Sequence, residues 1–140
     1  MEEKILILDF GSQYTQLIAR RIRELNIYCE IFPFNKIPEI TSEYFGIILS
    51  GSPYSVHDKD SPKIDFEKFN DLPVLGICYG AQLIANFNNS VIEKSKIREY
   101  GRAKLSYVDS ENILMKGVKS NSDLWMSHGD SITEISNSFK

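Results

Sequence analysis

The sequence predicts an α/β fold, doubly wound around a mostly parallel sheet with helices on both faces. Three features carry this: short apolar runs that read as buried strands, amphipathic stretches between them, and the regular alternation of the two. Residues 4–9 (KILILD) form a nearly continuous apolar run that ends in an acid and meets Phe10-Gly11-Ser12, the pattern of a strand buried on both faces. Over residues 13–25, Tyr14, Leu17, Ile18, Ile22 and Leu25 recur at helical spacing, with Arg20, Arg21 and Arg23 largely on the opposite side. This predicts an amphipathic helix capped near Ser12, its arginines a solvated face.

Residues 28–32 and 46–50 read as the second and third strands, the latter leading into the Gly51-Ser52-Pro53 turn. The polar residues 55–62, His57 among them, read as surface loop. Residues 74–77 follow Pro73 as a fourth strand, and residues 81–87 (AQLIANF) have so few polar positions that a deeply packed helix is expected. Right-handed crossovers then place three loops at the carboxyl ends of the strands, over residues 10–13, 51–53 and 78–82. Beyond Ser90 the pattern changes to alternating segments at 102–108, 113–118 and 123–127, which suggests antiparallel pairing at one side of the sheet.

The chain has 140 residues, 42% of them hydrophobic, which suits one domain with a real core. Its net charge of -3 arises from interspersed charges of both signs, so no nucleic-acid partner and no membrane partner are expected. No apolar run approaches the roughly 20 residues of a membrane span. The start Met1-Glu2-Glu3-Lys4 lacks the cationic and apolar regions of a signal peptide, so a cytoplasmic location is expected. The two cysteines, Cys29 and Cys78, lack metal-ligand spacing and suggest neither a metal site nor a disulfide framework.

Cys78 stands apart because it lies in Gly76-Ile77-Cys78-Tyr79-Gly80-Ala81-Gln82, between an expected strand and an expected helix. That is the layout of a nucleophile elbow, where a strained turn presents the side chain outward and glycines let neighbouring elements approach closely. The helix N-terminus favours thiolate, and nearby N–H groups can stabilise an oxyanion. The Gly51-Ser52-Pro53 turn ends another strand and can direct its N–H groups to the same place. Cys29, with no glycines around it, reads as a small buried hydrophobe.

The Gly-x-Cys-x-Gly-x-Gln pattern at residues 76–82 resembles the nucleophile motif of the class I (triad-type) glutamine amidotransferases, whose fold is flavodoxin-like. Residues 7–17, Arg98-Glu99-Tyr100-Gly101 and Trp125-Met126-Ser127-His128-Gly129-Asp130 are similar to the GMP-synthetase branch of that family, in order and spacing over essentially the whole chain. The resemblance implies that Cys78 attacks the carboxamide of L-glutamine, forms a glutamyl thioester and releases ammonia for ATP-dependent amination of XMP. It implies an oxyanion hole from the backbone N–H groups of Tyr79 and Ser52, with Gly51 shaping the loop, and a glutamine pocket of Gln82, Ser127, His128, Gly129 and Asp130. The partner it implies is an ATP pyrophosphatase (synthetase) domain or subunit. No cofactor is implied for this domain, ATP and Mg belonging to the synthetase part.

Two departures stand out. The family's Ser-Gly-Gly-Pro is here Ser50-Gly51-Ser52-Pro53, so any need for positive φ at Ser52 would cost about 1 kcal/mol or more. The family's catalytic His and Glu lie in a His-Pro-Glu segment some tens of residues after Ser-His-Gly-Asp, and these residues contain none. His128 matches the glutamine pocket, not the base. The expectation is therefore a single amidotransferase domain over residues 1–140, incomplete at its C-terminus and alone inactive or very weak. The rival expectation is a glutamine-binding or regulatory module without turnover; another elbow-cysteine hydrolase would leave Gln82 and residues 125–130 unexplained.

Overall fold

The computed structural model describes residues 3–69 and 71–139, and the side chains of residues 97–99 lie outside the described residues, including those of Arg98 and Glu99 from the resemblance motif. Strands β1 (Lys4–Asp9), β2 (Tyr28–Pro33), β3 (Tyr44–Leu49) and β4 (Val74–Gly76) form a wholly parallel sheet in the order β2-β1-β3-β4. This is the beginning of a flavodoxin-like strand order. Helices α1 (Thr15–Glu24) and α2 (Tyr79–Phe87) cover opposite faces.

Because strand side chains alternate between faces, β1 divides the interior in two. Leu6 and Leu8 pack with Phe10, Ile47, Leu49, Tyr79 and Leu83 under α2, while Ile7 packs with Ala19, Cys29 and Ile48 under α1. Cys29 is the buried hydrophobe expected of it, 1% exposed, its thiol donating to the Ala19 carbonyl at 3.6 Å.

Helix α1 starts later than expected, and its buried face is turned. Tyr14 is the N-cap without a side-chain cap bond, and Ser12 Oγ instead accepts the Tyr14 N–H at 3.0 Å within the preceding turn. Asp9, at the end of β1, organises that turn by accepting the Gly11 N–H and the Thr15 hydroxyl, each at 2.9 Å. Thr15 and Ala19 thus point at the sheet, where only small side chains permit close packing, with Ile18 and Ile22 beside them. Tyr14, Leu17 and Leu25 remain 47%, 46% and 68% exposed. Arg20 and Arg21 form surface pairs with Glu24, as a solvated face should.

Past α2 the chain does not extend the main sheet. Strands β5 (Val91–Lys104) and β6 (Asp123–Glu134) form a separate antiparallel ribbon. Of the three strand segments expected there, residues 113–118 are not a strand: Ile113–Met115 is a single 3-10 turn, opened by Asn112 Oδ1 accepting the Leu114 N–H at 3.0 Å. Local capping chemistry outcompetes apolar alternation where no partner strand lies alongside.

Helix α2 is seated on β3 at Gly80. A Cβ there would fall 2.5 Å from the Leu49 carbonyl oxygen and 2.6 Å from Leu49 Cβ, while the Gly80 N–H bonds the Ser50 and Ile77 carbonyls at 3.1 and 3.0 Å. At the opposite, amino-terminal edge of the sheet, Lys4 Nζ lies 3.1 Å from Glu30 and 3.2 Å from Glu43. The Tyr44 hydroxyl donates to Glu30 at 2.6 Å. That hydroxyl first, then the Lys4 ammonium, holds the Glu30 carboxyl below its ordinary value of 4.5 against the opposing effect of burial. Burial first, then Glu30, raises the Tyr44 phenol from 10.0 to about 12.

Gly80→Ala is expected to destabilise the chain by about 2–3 kcal/mol, because backbone must move to admit the methyl group. A denaturant midpoint equal to that of the parent would contradict the seating of α2. A folded-state carboxyl that is lowered gives stability that is present above its unfolded value and is lost as pH falls; a raised phenol gives stability that is present below its unfolded value and is lost as pH rises. Tyr44→Phe should therefore cost about 1–2 kcal/mol at neutral pH, with the deficit shrinking below the unfolded Glu30 value of 4.5 and above 10.0, toward the folded Tyr44 value of about 12. Urea titrations across that range check this, and a pH-independent deficit would refute it.

Candidate active site

Cys78 is the N-cap of α2 and has φ 53° and ψ −111°, a conformation few non-glycine residues adopt. The strain persists because both sides of the turn are fixed. Ile77 N–H bonds the Leu49 carbonyl at 3.0 Å, Gln82 N–H bonds the Cys78 carbonyl at 3.1 Å, and Gly80 is clamped on β3. Gly76 is equally constrained, since a Cβ there would lie 2.4 Å from the Ala81 nitrogen. The elbow expected from the two glycines is thus present for steric reasons visible at both. Cys78 is exposed, and its thiol donates to the Ser127 carbonyl on β6 at 3.5 Å.

The Gly51 turn lies beside it. A Cβ on Gly51 would stand 3.6 Å from Cys78 Cβ and 3.5 Å from Ser12 Oγ, so the loops after β1, β3 and β4 converge as anticipated. Ser50, completely buried, ties them: its Oγ accepts the Phe10 N–H at 2.9 Å and donates to the Gly51 carbonyl at 3.0 Å. The strain feared at Ser52 does not arise. Among the described residues the non-glycine positions with positive φ are Asn26, Asp71, Cys78, Asn89 and Asn121, and Ser52 is not one of them. Its hydroxyl accepts the Tyr54 N–H at 3.3 Å, so the extra side chain is used within the turn.

Tyr79 is held with its ring inward. It is 1% exposed, packs 5.7 Å from the Phe10 ring, and donates its hydroxyl to the Pro62 carbonyl at 2.6 Å, leaving only its backbone N–H on the cysteine side. Partial burial pushes the Cys78 thiol above its ordinary value of 9.0, and the Tyr79 N–H pulls the other way without reversing this. Desolvation thus outweighs the opposing pull of the Tyr79 N–H on the thiol.

The ribbon brings in the remaining expected residues. Gln82 is 7% exposed and its Nε2 donates to the Asp130 carbonyl at 3.1 Å. Asp130 is itself buried, and its carboxylate accepts the hydroxyl of Ser55. His128 and Gly129 lie between Ser127 and Asp130 on β6, half-buried, with His128 paired in register with Glu99 of β5. The reading of residues 55–62 as ordinary surface is corrected: besides Ser55, His57 Nε2 lies 2.8 Å from the Ile92 carbonyl, and Ser61 and Pro62 are buried. Sequence reasoning missed Ser55 and His57, for which polarity in a loop was the only local signal, and gave Ser50 no role although it stands at the end of an expected strand.

Among the described residues no three His, Cys, Asp or Glu converge as a metal site, and no helix is long and apolar enough to cross a membrane.

Comparison with known proteins accords with this architecture. The profile of the class-I glutamine amidotransferase family matches residues 6–140. Over 100% of its length the chain is 57% identical to a GMP synthase [glutamine-hydrolyzing] of Cytophaga hutchinsonii and 56% identical to a GMP synthase [glutamine-hydrolyzing] 1 of Bacteroides thetaiotaomicron, but it spans 28% of each of those relatives. Among solved structures, a GMP synthase subunit from Thermoplasma acidophilum superposes with a TM-score of 0.74 at 31% identity, covering 98% of this chain and 70% of that one. A Thermotoga maritima glutamine amidotransferase superposes with a TM-score of 0.71 at 18% identity over 94% of this chain and 62% of that one, a likeness of fold. With strand order, elbow and family profile in agreement, the chain belongs to the class I glutamine amidotransferases.

Proposed function

We propose that this chain is the glutamine-hydrolysing portion of a GMP synthase, supplying ammonia for the ATP-dependent amination of XMP by a synthetase domain or subunit. The observation that supports it most is the strained Cys78 elbow with its thiol against the Ser127 carbonyl, on the strand that carries Asp130. In this reading Cys78 Sγ attacks the carboxamide carbon of glutamine, and the negative charge on its oxygen is met by the N–H groups of Tyr79 and Ser52. The C–N bond then breaks, nitrogen leaves as ammonia with the proton from the thiol, and the thioester is hydrolysed by water to glutamate. Gln82, Ser127, His128, Gly129 and Asp130 form the wall against which glutamine is held. The hydrolysis requires no cofactor, ATP and Mg serving the separate amination. A cytoplasmic location suits two free cysteines, one of them exposed.

The proton of Cys78 is the demanding part. Its hydrogen-bond acceptor is the Ser127 carbonyl, which cannot take a proton, and burial holds the thiol up. The contact that the thiol makes therefore supplies no general base, and efficient deprotonation needs another group.

Two measurements test this. In the natural full-length protein, Cys78→Ala should lower glutamine-dependent GMP formation by about a thousandfold or more while ammonium salts still support it. Equal loss with both nitrogen sources, or no loss, would sink the assignment. In the 140-residue chain, the rate of Cys78 alkylation by iodoacetamide should keep rising with pH past 9.0, since the thiol is raised above that value. A plateau near neutrality would show a thiolate that the geometry does not support.

A further inference from the structure

The segment after the candidate oxyanion turn grips both strands of the ribbon. Ser55 donates its hydroxyl to the Asp130 carboxylate on β6. Two residues on, His57 Nε2 meets the Ile92 carbonyl on β5 at 2.8 Å, where the carbonyl oxygen can only accept and the ring nitrogen donates. The turn is closed on itself. Asp58 Oδ2 accepts the Ser55 N–H at 2.8 Å, the Asp58 N–H bonds the Ser55 carbonyl at 3.0 Å, and Ser55 Oγ accepts the His57 N–H at 3.2 Å. Ser55 therefore has its donor and an acceptor site used at once, which leaves its rotamer little freedom.

The location gives this turn a consequence. Ser55 is three residues beyond Ser52, so one short stretch links the candidate oxyanion donor to the buried carboxylate of the strand against which glutamine is held. The ribbon belongs to a separate sheet, and among the described residues no strand ladder registers it on the body. Beyond this turn, its polar anchors at the site include the long Cys78–Ser127 contact of 3.5 Å and the Gln82–Asp130 bond of 3.1 Å.

We propose that Ser55 and His57 are positioning residues, a latch that sets the distance between the oxyanion turn and the glutamine-binding segment of β6 and thereby fixes affinity for glutamine. This rests on the amidotransferase reading above. The latch acts on placement of the substrate and touches no reacting atom.

The test is made in the natural full-length protein. Ser55→Ala should raise KM for glutamine about tenfold and leave kcat within about twofold, because only ground-state placement is loosened. Ser55→Thr, which keeps the hydroxyl, should restore KM, and His57→Phe should raise it in the same direction. Hydrogen–deuterium exchange over residues 127–132 should accelerate in Ser55→Ala and not in Ser55→Thr. An unchanged KM in Ser55→Ala, or an equal rise in the threonine variant, would overturn the proposal. If the unmutated protein hydrolyses no glutamine, the functional reading fails separately, and unaltered exchange in Ser55→Ala would then overturn the latch itself.

Discussion

The structure depends on the contact between Gly80 and Leu49. With no Cβ at residue 80, the first turn of α2 descends onto the carbonyl end of β3 until its N–H bonds the Ser50 carbonyl. The turn between β4 and α2 is made at that close separation. Within it Cys78 adopts φ 53°. The Cys78 side chain is exposed above this packing, and a Cβ on Gly51 would stand 3.6 Å from Cys78 Cβ. Strain of this kind costs on the order of 1–3 kcal/mol and survives only because the surroundings over-determine it.

Around that elbow the molecule is built from two unlike parts. The parallel sheet is held by apolar faces on both sides and by the backbone ladder, and nothing in its core is negotiable without loss of packing. The β5–β6 ribbon meets it through Cys78 and Gln82 at the candidate site and through Ser55 and His57 in the turn beyond Ser52. The geometry at Cys78 is thus set rigidly from one side and by a handful of hydrogen bonds from the other.

Much of the fold is legible in the sequence because a buried parallel strand must be apolar on both faces. The runs at residues 4–9, 28–32, 46–50 and 74–77 appear within a residue or two of their observed bounds. Periodicity misreads the face of α1, since hydrophobicity ranks Leu17 and Tyr14 above Thr15 and Ala19, whereas closeness to the sheet selects the smaller side chains. The region after Ser90 is legible as antiparallel but not as a separate ribbon. Pairing partners across some thirty residues are chosen by tertiary register, on which alternation within a segment is silent.

By itself the sequence determined the strand–helix alternation, the elbow and its cysteine, and through Gly-x-Cys-x-Gly-x-Gln the family, because each of these is a local demand on size or backbone freedom. Only the tertiary structure decided that Ser52 is unstrained, that the Cys78 thiol is raised, and that Ser55 and His57 clasp residues 75 and 35 positions away. Desolvation and long-range hydrogen bonds depend on what the rest of the chain places nearby, and a polar residue in a loop reads the same whether it faces water or a buried carboxylate.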